Sequence, residues 1–407
     1  MIFEQYYLDC LSHASYLIAD ASTGRAVVVD PQRDVTQYIE DAAAHNCTIE
    51  RVIETHFHAD FLSGHLELAA QTGAVISYGE AAGETSFPIE RLADGERLSL
   101  GDVVLEIRAT PGHTPESISV VVYEHAGDAE PYGVLTGDTL FIGDVGRPDL
   151  LASRGMTATE LARDLFRSTR TQLLTLPDAT RVYPAHGAGS ACGRKLSTAT
   201  VSTIGEQRAT NYALADMTED AFVEVVTEGL PDAPAYFAFD AQRNRDQREL
   251  LDETTAPPRL SLADVLDRVA AGAVVLDTRD AADYAHGHLR DSLEVGLGGR
   301  FAEYAGDVLD PDQPIILVCD AGTEIEAKVR LARIGFDNVV GVLDDHVNAF
   351  LDRPDLVDRS SRLAATELAA LLEAGETIQL VDVRTADEIT DGAVTGAVRL
   401  PLARITS

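Results

Sequence analysis

The chain carries two imidazoles and one carboxylate within five consecutive residues, at His56, His58 and Asp60. Neutral imidazole nitrogens and carboxylate oxygens are ligands that zinc and non-haem iron bind in proteins. A hydrophobic core has no need for that density of polar groups. The stretch 51–54, immediately before them, is typical of a strand. We therefore expect a metal centre where this strand ends.

Three further polar residues lie in comparable positions, each in a turn after a strand-like stretch: His113, Asp138 and His186. The strands are predicted over 103–109, 133–136 and 181–183. Strand ends on one scaffold can direct side chains from distant parts of a chain to a common point. The sequence therefore predicts that these residues lie at the same metal centre.

The motifs around these residues resemble those of the metallo-β-lactamase superfamily. Within it they are most similar to the persulfide dioxygenases (sulfur dioxygenases) that are fused to rhodanese-like domains, through 55–61, 110–117, 136–150 and 183–193. The resemblance covers about the first 250 residues. It implies one Fe(II) held by His56, His113 and Asp138. His58, Asp60 and His186 are then implied to be neighbouring catalytic groups, which orient the ligands and water.

That ligand set suits chemistry with O₂. Two His and one carboxylate on one face leave three coordination positions open, so that substrate and O₂ bind together. The resemblance implies that a low-molecular-weight thiol persulfide, such as glutathione persulfide, reacts with O₂ to give sulfite and thiol. A two-metal hydrolase would carry a further His at position 61, where this chain has Phe61. The sequence therefore favours one iron over a pair of metals.

Three residues near the predicted centre are candidates for handling sulfur. By resemblance, Arg147 positions the thiol carrier through a carboxylate, with Asp149 beside it; the alternative is an ion pair at the surface. Cys192 lies in a Gly-rich stretch, 187–193, six residues after His186. As a thiolate beside a cationic metal it would accept or relay sulfane sulfur. The alternative is a small buried side chain that packs a tight loop.

Composition limits the partners of the protein. The net charge of −35, with lysine at only two positions, would repel nucleic acid and anionic membranes. The four cysteines have no paired spacing, which indicates a reducing compartment. No basic leader or long apolar stretch is present at the N-terminus. We expect a cytoplasmic protein and, by resemblance, a homo-oligomer, either a dimer or a tetramer.

The order of predicted elements favours two covered sheets followed by smaller α/β domains. Two strands are expected between residues 3 and 30, and helices over 35–45, 62–71 and 157–174. This α/β order fits the αββα sandwich of a metallo-β-lactamase over residues 1–250. A polar linker that contains several prolines is predicted within 231–258.

The remainder of the chain repeats itself. Asp277 and Arg279 recur at Asp382 and Arg384, an offset of 105 residues, which indicates a duplicated domain. Both copies resemble rhodanese: residues 259–357 form one domain, and 358–407 form a partial copy that ends before its catalytic loop. The partial copy either packs on its neighbours or continues beyond Ser407.

The nucleophile of the first rhodanese-like copy is in doubt. Cys319 follows the apolar stretch 314–318 and precedes a predicted helix, which is the position of the rhodanese nucleophile. However, Glu324 replaces the customary Arg, and Asp320 is adjacent to the thiol. Carboxylates oppose both a thiolate and an anionic substrate. We predict a catalytically silent domain that serves as a scaffold or docking surface.

Two alternative functions stay open. One is a glyoxalase II-like thioester hydrolase with zinc or mixed metals. The other is a sulfur-carrier or regulatory protein in which the rhodanese-like tail binds a partner. The sequence also leaves open which thiol carries the sulfur: glutathione, coenzyme A, another small thiol or Cys192.

Overall fold

A computed structural model describes residues 1–150, 156–230, 233–385, 388–390 and 392–405. The chain divides into two compact units, one of residues 1–233 and 237–251 and the other of 234–236 and 252–407. Pro231 and Asp232 of the predicted linker, and five residues of the predicted partial copy, lie outside the described residues. The domain boundaries given above stay predictions.

The first unit contains two six-stranded sheets. The first sheet has strands β1 (Ile2–Leu8), β2 (His13–Asp20), β3 (Arg25–Val29), β4 (Thr48–Ile53), β5 (Val75–Gly79) and β6 (Glu90–Leu92), in that spatial order. The second has β7 (Arg97–Ser99), β8 (Val104–Ala109), β9 (Ile118–Tyr123), β10 (Gly133–Gly137), β11 (Arg181–Pro184) and β12 (Ser202–Thr203), which also neighbour one another in sequence order.

Because side chains alternate along each strand, one face of the first sheet packs against the second sheet and the other face packs against helices. Tyr16 and Ile18 of β2 join the core between the sheets, together with residues of β8, β9 and β10. Leu17 and Ala19 of the same strand face outward and pack with residues of α1 (Thr36–Ala44) and α2 (His65–Thr72). Because successive side chains point to opposite faces, one strand contributes to two apolar layers.

The outer face of the second sheet is covered in the same way. Val121, Val134 and Val182 pack with side chains of α3 (Ala158–Ser168), α4 (Ile204–Thr210) and α5 (Glu219–Thr227). The predicted αββα sandwich is therefore confirmed. A capping box at Thr157 and Glu160 begins α3, and a π-helical turn over Thr169–Leu173 continues it.

Three predictions of local structure from the sequence were wrong. Residues 3–30 form three strands, because edge strand β1 is only half-buried and lacks a clear alternation. Helix α2 begins at His65, not at 62. The residue before it, Gly64, packs so closely on the backbone of Gln32 that a side chain there would collide with the Gln32 carbonyl oxygen. The predicted linker contains helix α6 (Phe237–Arg243), which belongs to the first unit.

The second unit is built on a five-stranded parallel sheet with spatial order β13, β18, β17, β14, β16. Its elements in chain order are β13 (Arg259–Leu260), α7 (Leu262–Ala270), β14 (Val274–Asp277), α8 (Ala281–His286), β15 (His288–Leu289), β16 (Leu293–Glu294), α9 (Phe301–Val308), β17 (Ile315–Val318), α10 (Glu324–Ala332), β18 (Val339–Leu343), α11 (His346–Asp352), β19 (Val357–Asp358), α12 (Ala365–Glu373), β20 (Val381–Asp382) and β21 (Val398–Arg399).

The sequence repeat corresponds to a structural repeat. Arg279 forms a two-pronged ion pair with Asp277 at 2.9 and 2.6 Å, and Arg384 does the same with Asp382 at 2.9 and 2.7 Å. Each guanidinium also donates to the carbonyl of a glycine eight residues further on. Strand pairs β14–β16 and β20–β21 share the same parallel register. The described part of the final copy therefore repeats the opening of the first.

Candidate metal centre

Three side chains predicted as metal ligands meet at the ends of strands in the first unit. His56 follows β4, His113 follows β8, and Asp138 follows β10. One ligand atom from each lies within 4.8 Å of the other two, and all three side chains are buried. Asp138 Oδ2 is 3.8 Å from His56 Nε2 and 3.5 Å from His113 Nε2. Sequence positions far apart are thus brought to one point.

Hydrogen bonds at Nδ1 of His56 and of His113 leave the Nε2 atom of each ring free to face the predicted metal position. Thr55 donates its hydroxyl proton to Asp30, so its oxygen accepts from His56 Nδ1 at 3.0 Å. The carbonyl of Arg147 accepts from His113 Nδ1 at 2.9 Å. Both imidazoles are thereby fixed with Nε2 unprotonated, the tautomer that binds a metal.

The remaining atoms fit a cation. His56 Nε2 and Asp138 Oδ2 are buried without a hydrogen-bond partner among the described residues, a costly arrangement unless a ligand satisfies them. Burial lowers the pKa of His56 well below its ordinary value, with the neighbouring His58 adding to the effect. Burial would raise the pKa of Asp138, but His186 and the two other imidazoles hold it well below its usual range. Neutral imidazoles and a carboxylate are the protonation states that iron or zinc requires.

His186 and Asp60 lie beside the three predicted ligands. His186 Nδ1 donates to Asp138 Oδ1 at 2.8 Å, and its Nε2 is 2.7 Å from Asp60 Oδ2. Burial opposes a charge on His186, but the two carboxylates outweigh it and raise its pKa well above the ordinary value. His186 therefore orients Asp138 while Asp60 orients His186.

Cys192 lies close to the same group but is buried. Its sulfur is within 4.8 Å of ligand atoms of Asp60 and His186. Burial, followed by the charges of Asp60 and Asp138, raises the pKa of the Cys192 thiol well above its ordinary value. The protein groups by themselves therefore favour the thiol, so a sulfur-relay role depends on a cation at the centre and stays a prediction.

One ring nitrogen of His58 is held by two carboxylates. Its Nε2 is 3.1 Å from Asp30 Oδ1 and 3.4 Å from Glu54 Oε2, and all three side chains are buried. Burial alone would lower the pKa of His58, but these carboxylates raise it to about 10. His58 is thus held as an imidazolium next to the centre.

Phe61 fills the space where a further imidazole was expected in a two-metal enzyme. Its ring lies 4.0 Å from the ring of His13 and 4.4 Å from that of His58, centroid to centroid. The side chain is buried. An aromatic ring at this position supplies packing and no donor atom.

Arg147 forms an ion pair with Asp149 in its own loop, and its backbone connects this loop to the one that carries Cys192. Arg147 Nε and Nη2 donate to the carboxylate of Asp149 at 3.0 and 2.8 Å. The backbone N–H of Arg147 donates to the carbonyl of Cys192 at 3.0 Å. Because Arg147 is 2% exposed, the pair is not the surface ion pair considered from the sequence. A role in substrate binding stays a prediction.

Sequence reasoning missed four residues of the site: His13, Asp30, Glu54 and Asn244. His13 has no ligand-like neighbours in the sequence, and it is buried against Phe61. Asp30 and Glu54 end or follow predicted strands, the same signal that identified Asp138. Asn244 carried no signal, because it lies 186 residues from its partner at His58.

Asn244 stabilises the loop that carries His56 and His58 through three hydrogen bonds. It donates to the carbonyls of His58 and Phe61 at 2.9 and 2.8 Å, and its own carbonyl accepts from the N–H of Ser63 at 2.9 Å. All these groups are buried. Helix α6 and the residues after it therefore hold the metal-site loop in place.

Replacing Asn244 with alanine is expected to destabilise the first unit by about 2–4 kcal/mol, since three buried backbone groups lose their partners. Urea denaturation of the metal-free chain, followed by circular dichroism, measures the change. The exposed helical position Gln71, changed to alanine, is the control, with an expected shift within about 0.5 kcal/mol. An equally small change in the free energy of unfolding for Asn244→Ala would show that the loop is stable without the hydrogen bonds of Asn244.

Cys319 of the second unit lies where the sequence placed it, between β17 and α10. Burial, followed by the charge of Glu324, raises the pKa of its thiol to about 11. The side chain is buried. The helix N-terminus was expected to lower the pKa, but burial and carboxylates have the larger effect.

Cys319 is therefore expected to react slowly with iodoacetamide. A pKa of about 11 instead of the usual 9 leaves about 100-fold less thiolate at neutral pH. Peptide mass spectrometry after timed alkylation measures the rate, with the partly exposed Cys10 as an internal reference. Equal rates at the two cysteines would contradict the expectation.

In the part of the chain that the structure describes, no helix combines the length and apolarity needed to cross a membrane.

Comparisons with known proteins agree with this architecture. A family model described as the metallo-beta-lactamase superfamily matches residues 8–186, and one described as a rhodanese-like domain matches residues 261–353. A crystal structure of a metallo-beta-lactamase from Staphylococcus aureus superposes with a TM-score of 0.76 and 33% identity, covering 84% of this chain and 98% of that one.

Two relatives of known activity are similar over the first unit. The mitochondrial persulfide dioxygenase ETHE1 of Bos taurus is 31% identical over 220 residues, which cover 52% of this chain and 75% of the relative. The cytoplasmic hydroxyacylglutathione hydrolase of Arabidopsis thaliana is 32% identical over 183 residues, which cover 44% of this chain and 66% of the relative. The chain therefore belongs to the metallo-β-lactamase superfamily, and its metallo-β-lactamase domain is followed by a rhodanese-like domain.

Proposed function

We propose that the protein is a persulfide dioxygenase, which oxidises a low-molecular-weight thiol persulfide with O₂ at a single Fe(II). The observation that carries this proposal is the ligand set: His56, His113 and Asp138 converge, whereas His58 is held by Asp30 and Glu54. Two imidazoles and one carboxylate are the ligands of non-haem Fe(II) oxygenases, which leave positions open for substrate and O₂. Fe(II) would supply the site for O₂ activation.

The overall reaction balances with one water. RSSH, O₂ and H₂O give RSH, sulfite and two protons, so the outer sulfur loses four electrons and O₂ gains four. The sulfur–sulfur bond breaks, and the proton of the thiol product comes from the persulfide or water. The reaction needs no further reductant, which suits a site built from His and carboxylate alone.

The protein residues have separate tasks in this proposal. Asp60 and His186 orient Asp138 through a chain of contacts. Arg147 would position the thiol carrier through a carboxylate of that carrier, while Asp149 holds the guanidinium in place. Cys192 would take part only if sulfane sulfur is relayed through the protein. The ring of His58 lies beside that of His56.

A glyoxalase II-like thioester hydrolase is the second candidate, favoured by the similarity to hydroxyacylglutathione hydrolase. Phe61 argues against it, because a hydrolase of this kind usually relies on a pair of metals around an activated water. A third possibility, a sulfur carrier with a vestigial metal domain, does not account for the converging buried ligand atoms.

Anaerobic reconstitution with Fe(II), followed by an O₂-electrode trace with glutathione and coenzyme A persulfides, tests the proposal. We expect one iron per chain and equal consumption of O₂ and formation of sulfite. Two zinc ions per chain, together with thioester hydrolysis and no O₂ uptake, would favour the glyoxalase II-like hydrolase over the persulfide dioxygenase. A cytoplasmic location, a dimer or tetramer, and a silent rhodanese-like domain are further parts of this proposal.

A further inference from the structure

We infer that Asp144 is a positioning residue of the site, whose carboxylate holds the loop 190–195 in place and so fixes Cys192 and the guanidinium of Arg147 relative to each other. Asp144 lies in the stretch 136–150 that resembles the persulfide dioxygenases, and the proposed reaction gives it no task. The inference deepens the proposed function, because it concerns the same site, and only the turnover measurement below rests on that function.

The carboxylate of Asp144 is a buried acceptor for donors from three segments of the chain. Its Oδ2 accepts from the backbone N–H groups of Arg194 and Lys195 at 2.6 and 2.7 Å. Its Oδ1 accepts from the N–H of Val145 at 2.8 Å and from the hydroxyl of Tyr212 at 2.6 Å. Hydrogen bonds from N–H groups to a carboxylate are among the strong ones, so two consecutive amides on one oxygen fix the backbone there.

Cys192 lies just before the two anchored amides. The N–H of Arg147 donates to the Cys192 carbonyl at 3.0 Å, and the guanidinium of Arg147 donates to the Ala191 carbonyl at 3.3 Å. The Cys192 sulfur is within 4.8 Å of ligand atoms of Asp60 and His186. The two loops that the carboxylate joins are thus the same two that Arg147 joins, with the thiol next to the junction.

The loop needs anchors because its own sequence is rich in glycine. Gly189 has a φ of +108°, a backbone conformation that is open mainly to glycine. Where the loop begins, the N–H of Gly187 donates to the Ser12 carbonyl at 2.9 Å, and the Ser12 hydroxyl donates to the Ala188 carbonyl at 2.8 Å. Asp144 supplies the anchor where the loop ends.

The loop that carries Asp144 has anchors that do not involve its carboxylate. The side-chain amide of Asn211 donates to the carbonyls of Phe141 and Asp144 at 3.4 and 3.0 Å. The N–H of Gly143 donates to the side-chain oxygen of Gln207 at 2.8 Å. Loss of the carboxylate should therefore release the loop 190–195 and leave the loop of Asp144 in place.

Asp144→Asn tests this, because it keeps the shape of the side chain but replaces one acceptor oxygen with an NH₂ group. Buried N–H groups without an acceptor favour local opening. We expect iodoacetamide to alkylate Cys192 in the metal-free full chain about 10-fold faster or more than in the wild type. Peptide mass spectrometry after timed alkylation measures the rate. Cys47, a buried thiol of the same unit, is the internal reference, because global unfolding exposes both thiols and loop opening exposes Cys192 alone.

Asp20→Asn is the matched control. Asp20 is also a buried carboxylate, whose Oδ2 accepts from two consecutive N–H groups, of Asp102 and Val103, and whose Oδ1 accepts from the N–H and the hydroxyl of Ser22. The alkylation rate of Cys192 should stay at its wild-type value in this variant.

A second variant, Tyr212→Phe, removes one donor to Asp144 and keeps the aromatic ring. It should accelerate alkylation of Cys192 by a smaller factor than Asp144→Asn, again without a change at Cys47. Because it leaves the carboxylate in place, it keeps the inference testable if Asp144→Asn does not fold.

The turnover measurement uses the iron-loaded chain. Asp144→Asn should keep the wild-type iron content, while the KM for glutathione persulfide rises more than kcat falls, because Arg147 would lose its neighbour at Ala191.

Three outcomes would overturn the inference. The first is an unchanged Cys192 rate in both Asp144→Asn and Tyr212→Phe. The second is equal acceleration at Cys192 and Cys47, because Asp144 would then stabilise the whole unit and not this loop. The third is an active Asp144→Asn enzyme with an unchanged KM. Alkylation needs neither iron nor turnover, so failure of the proposed function would appear separately, as absent O₂ uptake by the wild-type protein.

Discussion

Replacing His113 with alanine is expected to abolish iron binding and persulfide-dependent O₂ uptake. The change removes one of two imidazoles whose Nε2 atoms converge on Asp138, and it leaves the carbonyl of Arg147 without its donor. Residues that merely orient metal ligands are worth about 10- to 100-fold in affinity or activity, so loss of a ligand should exceed about 100-fold. Iron content by mass spectrometry and O₂ uptake by electrode are measured on the same sample.

Cys319→Ser is the control for this experiment. The residue is a buried thiol of the second unit, and its raised pKa makes it a poor nucleophile. We expect wild-type iron content and O₂ uptake. Persistence of uptake after His113→Ala, with iron retained, would show that the three-residue ligand set is wrong. Loss of uptake in Cys319→Ser would instead make the rhodanese-like domain a participant in turnover.

Phe61→His is expected to raise the metal content from one ion per chain to two. The new imidazole would join Asp60, whose Oδ1 is buried without a hydrogen-bond partner among the described residues, and His186, whose Nε2 lies 2.7 Å from Asp60 Oδ2. Histidine is smaller than phenylalanine, so the packing against His13 need not be forced apart. A second metal beside the first would favour an activated water and thioester hydrolysis over O₂ chemistry.

Phe61→Leu separates the new donor from the loss of the aromatic ring. This variant should bind one metal and keep O₂ uptake, because it adds no ligand. Metal quantitation after reconstitution with excess Zn(II) and with Fe(II) gives the stoichiometry of each variant. Two tightly bound metals in the wild-type protein would contradict the assignment of Phe61 as the residue that prevents a second site.

The sequence determined which residues meet at the centre. His56, His113, Asp138 and His186 each follow a strand, and a sandwich of two sheets brings such strand ends together. The order of predicted strands and helices likewise indicated two sheets covered by helices. Both signals are local, since side-chain period and turn residues are set by a few neighbouring positions. The metallo-β-lactamase fold followed by a rhodanese-like domain was predicted from the resemblance of the motifs to those families.

Tertiary structure alone decided how those residues are used. The resemblance implied different roles for His56 and His58, but only the structure shows what holds His58: its Nε2 lies 3.1 Å from Asp30 and 3.4 Å from Glu54. Asn244 reaches the same loop from a segment that looked like a linker. Cys192 has the neighbours of a reactive thiol in sequence, yet burial among carboxylates raises its pKa. Orientation and desolvation depend on side chains that are distant in the chain, and no local pattern encodes them.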